Sequence, residues 1–327
     1  MKKLLCTALL LTSLWTMASC GGDQRLNVGI IQYATHDALD KARLGFVDGL
    51  NELGVDDSVV KITVQNANGE SSTLSSISSS MARKSDLILA IATPAAVSAK
   101  SALENANKTT PLLFTAVTDA VSANLIESNE HPGGHITGTL DINPVAEQIG
   151  LFHELDPNIS KIGMLYTSSE SNSAFQIDLA KAACDNLGIE YVVRTITNAT
   201  DIPSIVSNLV NENIQGLYVP TDNVVATAMS VVNNAAKESG IPIIAGETSM
   251  VENGALITYG LDYYALGKRT AQMAKQILID KVAPSDIPTV GLDEFPLILN
   301  LNVARDFGIT VPQALIDRAT VIYDDEE

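Results

Sequence analysis

The sequence predicts an α/β protein with two doubly wound lobes, and three observations support this fold class. Short apolar segments alternate with longer amphipathic segments, as strands alternate with helices in α/β proteins. The short segments are apolar throughout, which is typical of parallel strands that helices cover on both faces. The alternation begins again after Gly133 and Gly134, so two sheets account for the order better than one very large sheet.

The chain before Gly133 predicts the first lobe. Its first helix shows the pattern well, because Leu39, Ala42 and Phe46 fall on one face and Gly54 follows the helix end. The predicted strands are 26–32, 59–65, 86–92 and 112–117. The predicted helices are 37–53, 71–84 and one that begins at Pro94. The boundary between the lobes is expected at 118–123.

The chain after Gly134 predicts the second lobe and a final set of elements. The predicted strands are 136–140, 161–166, 191–195, 216–219, 241–245, 255–259, 297–299 and 320–323. The predicted helices are 144–155, 173–187, 202–211, 224–239, 263–279 and 302–307.

Residues 1–19 predict a secretory signal peptide, followed by a tether over 20–25. Lys2 and Lys3 precede a short apolar run, and small residues lie directly before Cys20. This arrangement resembles the lipobox of bacterial lipoproteins, although Met17 stands where Leu is commoner. Lipid on Cys20 would anchor the protein outside the cytoplasm, with no membrane-spanning segment. Ordinary cleavage beside an incidental cysteine is the alternative.

Composition and missing motifs exclude several functions. With 38 acidic and 20 basic side chains the formal charge is −18, which argues against binding to nucleic acid. The sequence contains no G-x-S-x-G nucleophile elbow, and no G-x-G-x-x-G follows the first strand. His131 and His135 share a turn without further metal ligands, and Cys184 has no partner for a disulfide. We therefore expect no catalytic residue, metal ion, cofactor or disulfide framework.

The carboxyl ends of the predicted strands offer a ligand cleft. Ligands of open α/β sheets bind outside these ends, and helix N-termini there favour anionic groups. Hydroxyl, amide and carboxylate side chains dominate the ends, although each alone could serve as a helix N-cap. The candidate binding residues are Gln32, Tyr33, His36, Thr93, Pro94, Val117, Thr118, Ser168, Ser169, Ser171, Asn172, Ser173, Thr221, Asp222, Asn223, Glu247, Tyr259 and Gly260.

Five segments then carry a family resemblance. They are LILAIATPAA (87–96), LFTAVTD (113–119), LYTSSESNS (165–173), YVPTDN (218–223) and GALITYGLDYY (254–264). Together they resemble the ABC-transporter substrate-binding lipoproteins of the tryptophan/tyrosine type, a branch of the type I periplasmic binding protein fold. The resemblance covers residues 26–327 and departs from the family at His135, where Asn is expected.

The resemblance implies two Rossmann-like lobes joined by three hinge crossovers, near 118–122, 258–260 and 285–290. Lobe one would comprise 26–118 and 259–286, and lobe two 119–258 and 287–327. The lobes would close on an amino acid with an aromatic side chain, namely Trp, Tyr or Phe. A membrane permease with a separate ATPase subunit would then receive the ligand.

Physical reasoning suggests a role for each group of candidates. Asp222 is expected to accept the ligand ammonium, with Glu247 as second choice, and the 168–173 turn is expected to bind the carboxylate. The expected ring walls are Tyr33, Pro94, Val117 and Tyr259. The expected further polar contacts are Gln32, Thr93, Thr118 and Asn223.

Three other functions stay open at this point. An enzyme could use the same cleft, although the sequence lacks a nucleophile or metal set. A sensory lipoprotein would need the same closing cleft and would pass its ligand-bound state to a receptor. The ligand could also be a sugar or a nucleoside, although aromatic residues are only 5% of the chain.

Overall fold

A computed structural model describes residues 23–325, so the predicted signal peptide and Cys20 lie outside the described residues. The strands are β1 Leu26–Gln32, β2 Val60–Asn66, β3 Leu87–Ile91, β4 Leu112–Val117, β5 Ile136–Leu140, β6 Lys161–Thr167, β7 Glu190–Ile196, β8 Gly216–Val219, β9 Ile243–Ala245, β10 Ile257–Tyr259, β11 Leu297–Asn300 and β12 Val321–Tyr323. The helices are α1 Asp37–Glu52, α2 Ser71–Lys84, α3 Thr93–Asn105, α4 Val145–Leu155, α5 Ser171–Leu187, α6 Ile202–Asn211, α7 Asn223–Thr227, α8 Met229–Lys237, α9 Thr248–Glu252, α10 Tyr263–Leu278, α11 Leu301–Phe307 and α12 Gln313–Arg318.

The first lobe is built on a parallel five-stranded sheet of order β2-β1-β3-β4-β5. Its central strands are fully buried because helices cover both faces. Helix α10 returns to this lobe late in the chain, and its Leu266 and Met273 share the core with Phe46 of α1.

The second lobe is built on a seven-stranded sheet of order β12-β11-β10-β9-β8-β6-β7. All of its pairs are parallel except β10 with β11, where Ile257 lies opposite Leu299 in an antiparallel register. A separate apolar core surrounds this sheet, with Phe152 and Tyr218 among its largest fully buried side chains. Two cores and two sheets confirm the predicted fold class.

Strand β5 lies in the first lobe, whereas the sequence predicts it in the second. Strand β5 pairs in parallel with β4, with Leu112 opposite Ile136, and therefore completes the first sheet. Gly138 permits this pairing, because a Cβ there would collide with the backbone and ring of Phe114. The chain thus leaves the first lobe after Leu140 and not at 118–122, which corrects the expected lobe boundary. It passes between the lobes again at 260–262 and at 291–296.

Apart from shifts of one or two residues at helix ends, the helices differ from the prediction in three places. The single helix predicted over 224–239 is two helices, because Ala228 adopts a non-helical conformation at φ −124° and ψ 22°. The short helices α9 and α12 were not predicted, since five or six residues are too few to show a periodicity. Within residues 23–325, no helix combines the length and the apolarity needed to cross a bilayer.

Candidate functional site

The carboxyl ends of both sheets meet in a cleft between the lobes. His36 follows β1, and its Nε2 lies 3.2 Å from Oδ1 of Asn223, which follows β8. Gln176 of α5 donates to Thr118 at the end of β4, at 3.4 Å. At one edge of the cleft Lys41 pairs with Glu252 at 3.6 Å. These contacts join the two lobes, so the lobes are closed on one another.

Strained backbone presents Thr93 to this cleft. Ala92, at the end of β3, has φ 84° and ψ 154°, a region that residues with a Cβ rarely adopt. Ala116 in β4 also has a positive φ, of 55°, two residues before Thr118. Helix α3 then begins at Thr93 without a side-chain cap. Its N-terminus therefore offers N–H groups without a side-chain cap beside a cavity that Thr93 and Asn172 line.

Asp141 follows β5 directly and is only 2% exposed. Its Oδ2 accepts a hydrogen bond from the hydroxyl of Tyr263 at 3.0 Å. Its Oδ1 is buried and has no hydrogen-bond partner. Burial raises the pKa of Asp141 to about 7; the negative charge of Glu247 adds to the shift, whereas the hydroxyls of Tyr263 and Thr118 oppose it.

Unpartnered polar atoms are concentrated in the cleft. Within the part of the chain that the structure describes, six buried side-chain polar atoms lack a partner, and five belong to cleft residues. The five are His36 Nδ1, Thr93 Oγ1, Asp141 Oδ1, Asn143 Oδ1 and Asn172 Oδ1. Thr93 and Asn172 line one cavity of about 30 Å³, which Phe175 also borders. Because buried polar groups are costly without partners, this cluster suits a polar ligand.

The carboxylate of Asp222 is hydrogen-bonded on both oxygens by groups of lobe two. Its Oδ1 accepts bonds from Thr167 Oγ1 at 2.7 Å and from the Val225 amide at 2.9 Å. Its Oδ2 accepts bonds from the Thr167 amide at 2.6 Å and from Ser173 Oγ at 2.8 Å. A carboxylate has about four acceptor positions. These contacts do not support the predicted ammonium role of Asp222.

Glu170 is a second buried carboxylate with protein donors on both oxygens. It accepts bonds from the Asn223 amide at 3.1 Å, the Asn223 side chain at 2.6 Å, the Val224 amide at 3.2 Å and the Asn172 side chain at 3.2 Å. Burial raises its pKa to about 8, the negative charge of Asp222 adds to the shift, and these donors oppose it. Glu170 therefore orders the start of α7.

Other candidates in the second lobe have structural contacts too. Both oxygens of Glu247 accept bonds from Ser249, which makes Glu247 the N-cap of α9. Tyr259 accepts a bond from Arg318 at 2.8 Å within its own lobe, and this contact does not support its expected role as a ring wall. Gly260 leaves room for Thr248. Ser173 is buried, whereas the other predicted serines, Ser168, Ser169 and Ser171, are exposed.

Some candidates in the first lobe also have structural contacts, whereas others line the space between the lobes. Gln32 is tied to Asp40 and Arg43, and Val117 is part of the apolar core. Pro94 lies in the first turn of helix α3. Tyr33 lines a cavity of about 670 Å³ that extends between the lobes, where Ser169 and Asn223 lie on the opposite wall. Thr221 bonds Gln176 at 2.9 Å in the second lobe.

Sequence reasoning missed four cleft residues: Asp141, Asn143, Gln176 and Tyr263. Asp141 and Asn143 follow an apolar strand, which is the signal that identified the other candidates. Gln176 and Tyr263 lie inside helices, where strand ends give no indication.

Comparison with protein families matches residues 27–322 to the ABC transporter substrate binding proteins. A tyrosine-binding protein of Clostridioides difficile is 40% identical over 302 residues, which are 92% of this chain and 85% of that protein. Both matches extend over the two lobes and the cleft.

Two solved structures are also similar. An ABC domain from Streptococcus pneumoniae in complex with L-Trp has a TM-score of 0.86 at 33% identity, covering 91% of this chain and 99% of that one. A ligand-free, open substrate binding protein with adhesive properties from Clostridium difficile has a TM-score of 0.69 at 37% identity, covering 92% and 100%. The chain therefore superposes better on the structure with bound L-Trp than on the ligand-free, open structure, although its identity to the latter is higher. This difference agrees with the closed lobes of the present structure. The chain belongs to the ABC transporter substrate-binding proteins, which act outside the cytoplasm and work with the permease and ATPase of the transporter.

Proposed function

We propose that this substrate-binding protein binds an amino acid with an aromatic side chain between its lobes. The observation that carries the proposal is the cluster of unpartnered buried atoms on Thr93, Asp141, Asn143 and Asn172. Carboxylate and amide oxygens prevail in this cluster, and they suit the N–H donors of an ammonium group. The related proteins that bind tyrosine and L-Trp support the ligand class.

The remaining parts of an amino acid have matching surroundings. The hydroxyl of Thr93 and the uncapped N-terminus of α3 suit a carboxylate, because both provide donors and the helix end is partly positive. Tyr33 presents an aromatic side chain to the larger cavity between the lobes, and the ring of the proposed ligand would lie against it there. Closure over such a ligand would remove it from water before delivery to the permease.

Calorimetric titration of the purified protein with L-Tyr, L-Trp, L-Phe and L-Leu tests the proposal. We expect at least one aromatic amino acid to bind about tenfold or more tightly than L-Leu, because a ring buries more apolar area. A sugar and a nucleoside serve as controls and should give no heat. Binding of either control in place of every aromatic amino acid would contradict the proposed ligand class.

We also propose that lipid on Cys20 anchors the mature protein to the membrane. Support comes from the charged and apolar segments before Cys20 and the small residues beside it. Cys20→Ala should move the protein from the membrane fraction to the soluble fraction of the producing bacterium. Cys184→Ala is the matched control, because Cys184 is buried inside α5 and should leave the distribution unchanged. Equal membrane fractions for both variants would exclude the anchor.

A further inference from the structure

We infer that Asp141 accepts the ammonium group of the ligand and that Tyr263 positions its carboxylate for this contact. The inference rests on the proposed function, because it assigns one end of the proposed amino acid to a named side chain. Asp141 lies where the chain first leaves lobe one, and Tyr263 begins α10 where the chain returns. The Asp141–Tyr263 contact, which is proposed to bind the ammonium, therefore lies at two of the crossovers that link the lobes.

Comparison of the cleft carboxylates selects Asp141. Four donors occupy Asp222, four occupy Glu170, and Glu247 is the cap of α9 with a bond on each oxygen. Among these carboxylates only Asp141 has an oxygen, Oδ1, without a partner. An added ammonium would thus disturb internal bonds at Asp222 and Glu170 and none at Asp141, whereas Glu247 is held as the cap of α9.

Asp141 also has the neighbours that an ammonium requires. An ammonium carries three N–H donors, so one carboxylate oxygen is not sufficient. Asn143 donates to the Asp141 carbonyl at 3.0 Å, while its own Oδ1 is buried and unpartnered. Thr118, whose hydroxyl lowers the pKa of Asp141, accepts a bond from Gln176 of the second lobe. The acceptors therefore belong to one connected group of polar side chains.

Ammonium binding at this position should release a proton. The groups that face Asp141 are Thr118 and Tyr263, which are neutral donors, and Glu247, which adds negative charge. With the pKa raised to about 7, Asp141 is largely protonated in acid, and a neighbouring ammonium favours the ionised form. Ligand affinity should therefore fall as the pH decreases below about 7, because binding must then expel the proton.

The decisive experiment compares amino acids with analogues that lack the amino group. Wild type, Asp141→Asn and Asp86→Asn are titrated with L-Tyr or L-Trp, and with 3-(4-hydroxyphenyl)propanoate or indole-3-propanoate. Asp86 is the control because it lies before β3, at the opposite end of the sheet, where it accepts a bond from the Asn27 amide. We expect Asp141→Asn to weaken amino-acid binding about 100-fold and to change binding of the matching analogue less than about threefold. Asp86→Asn should match wild type.

The outcomes separate the inference from the proposed function. Wild-type protein that binds no aromatic amino acid would refute the proposed function. Wild type that binds one, together with an Asp141→Asn variant that binds it within about threefold as tightly, would overturn the inference alone. Thermal unfolding of the unliganded variants shows that each is folded before it is titrated.

Tyr263→Phe tests the positioning role. Calorimetry in two buffers of different ionisation heat, between about pH 5.5 and about pH 8.5, measures the protons released on binding. Wild type should release close to one proton in acid and almost none at the alkaline end. Removal of the hydroxyl removes a bond that lowers the pKa of Asp141, so the midpoint should move to higher pH in Tyr263→Phe. A release that does not vary with pH in wild type, or an unmoved midpoint in the variant, would contradict these roles.

Discussion

Replacement of Asp222 by alanine should lower the free energy of unfolding by about 3 kcal/mol or more, because buried donors lose their acceptor. The carboxylate is 1% exposed and accepts four bonds, from Thr167, Ser173 and Val225. Two of these donors are backbone amides, which cannot rotate toward another partner. The loss should appear as a lower denaturant midpoint of the unliganded protein.

The conservative variant Asp222→Asn should also be destabilised. Each oxygen of Asp222 accepts one backbone N–H, from Thr167 on Oδ2 and from Val225 on Oδ1. An asparagine in either orientation turns its own NH₂ group toward one of these amides, so one donor faces another. The two backbone N–H groups of lobe two therefore require a carboxylate at this position, whether or not a ligand is bound.

Asp201→Ala is the matched control. Asp201 also accepts several bonds, from the Thr197 amide and hydroxyl and from the Asn198 amide, but it lies at the surface. Water can replace its oxygens, so we expect a much smaller loss of stability. An Asp222→Ala variant with an unchanged denaturant midpoint and abolished amino-acid binding would return Asp222 to the ammonium role expected from the sequence.

The secondary structure could be predicted largely because the strands are apolar throughout. The predicted strands 112–117, 136–140 and 216–219 and the helix 202–211 have the bounds that the structure shows. Apolar periodicity is a local property, and it identifies an element without its partners. The pairing of β5 with β4 depends on the fit of Gly138 against Phe114, which periodicity does not reveal.

The cleft could be located from the sequence, but the roles of its residues could not. Asp222 and Asp141 both follow apolar strands, so the strand-end rule treats them alike. What separates them is the number of protein donors around each carboxylate, and those donors come from distant parts of the chain. Tyr263 reaches Asp141 across 122 positions of sequence. The local composition of the sequence does not reveal such a contact.

Replacement of Gly267 by alanine should destabilise the protein by about 3 kcal/mol, although alanine is the better helix former. Helices α1 and α10 approach closely, and a Cβ at Gly267 would lie well under 3 Å from the carbonyl oxygen of Ala42. Gly45 faces the backbone of Tyr264 in the same way, and a Cβ at Gly49 would lie 2.8 Å from that of Ala271. Because these neighbours are mainly backbone atoms, the helices must separate to admit a methyl group.

Gly150→Ala isolates this steric effect from helix propensity. Gly150 lies inside α4, and a Cβ there would meet nothing within 4 Å, so we expect stabilisation of about 0.5–1 kcal/mol. Denaturant unfolding of both variants measures the difference, and equal midpoints would exclude the close packing. Separation of α10 from α1 would also displace Tyr263, the first residue of α10 and the donor to Asp141. Gly267→Ala should therefore weaken ligand binding as well, whereas Gly150→Ala should leave it unchanged.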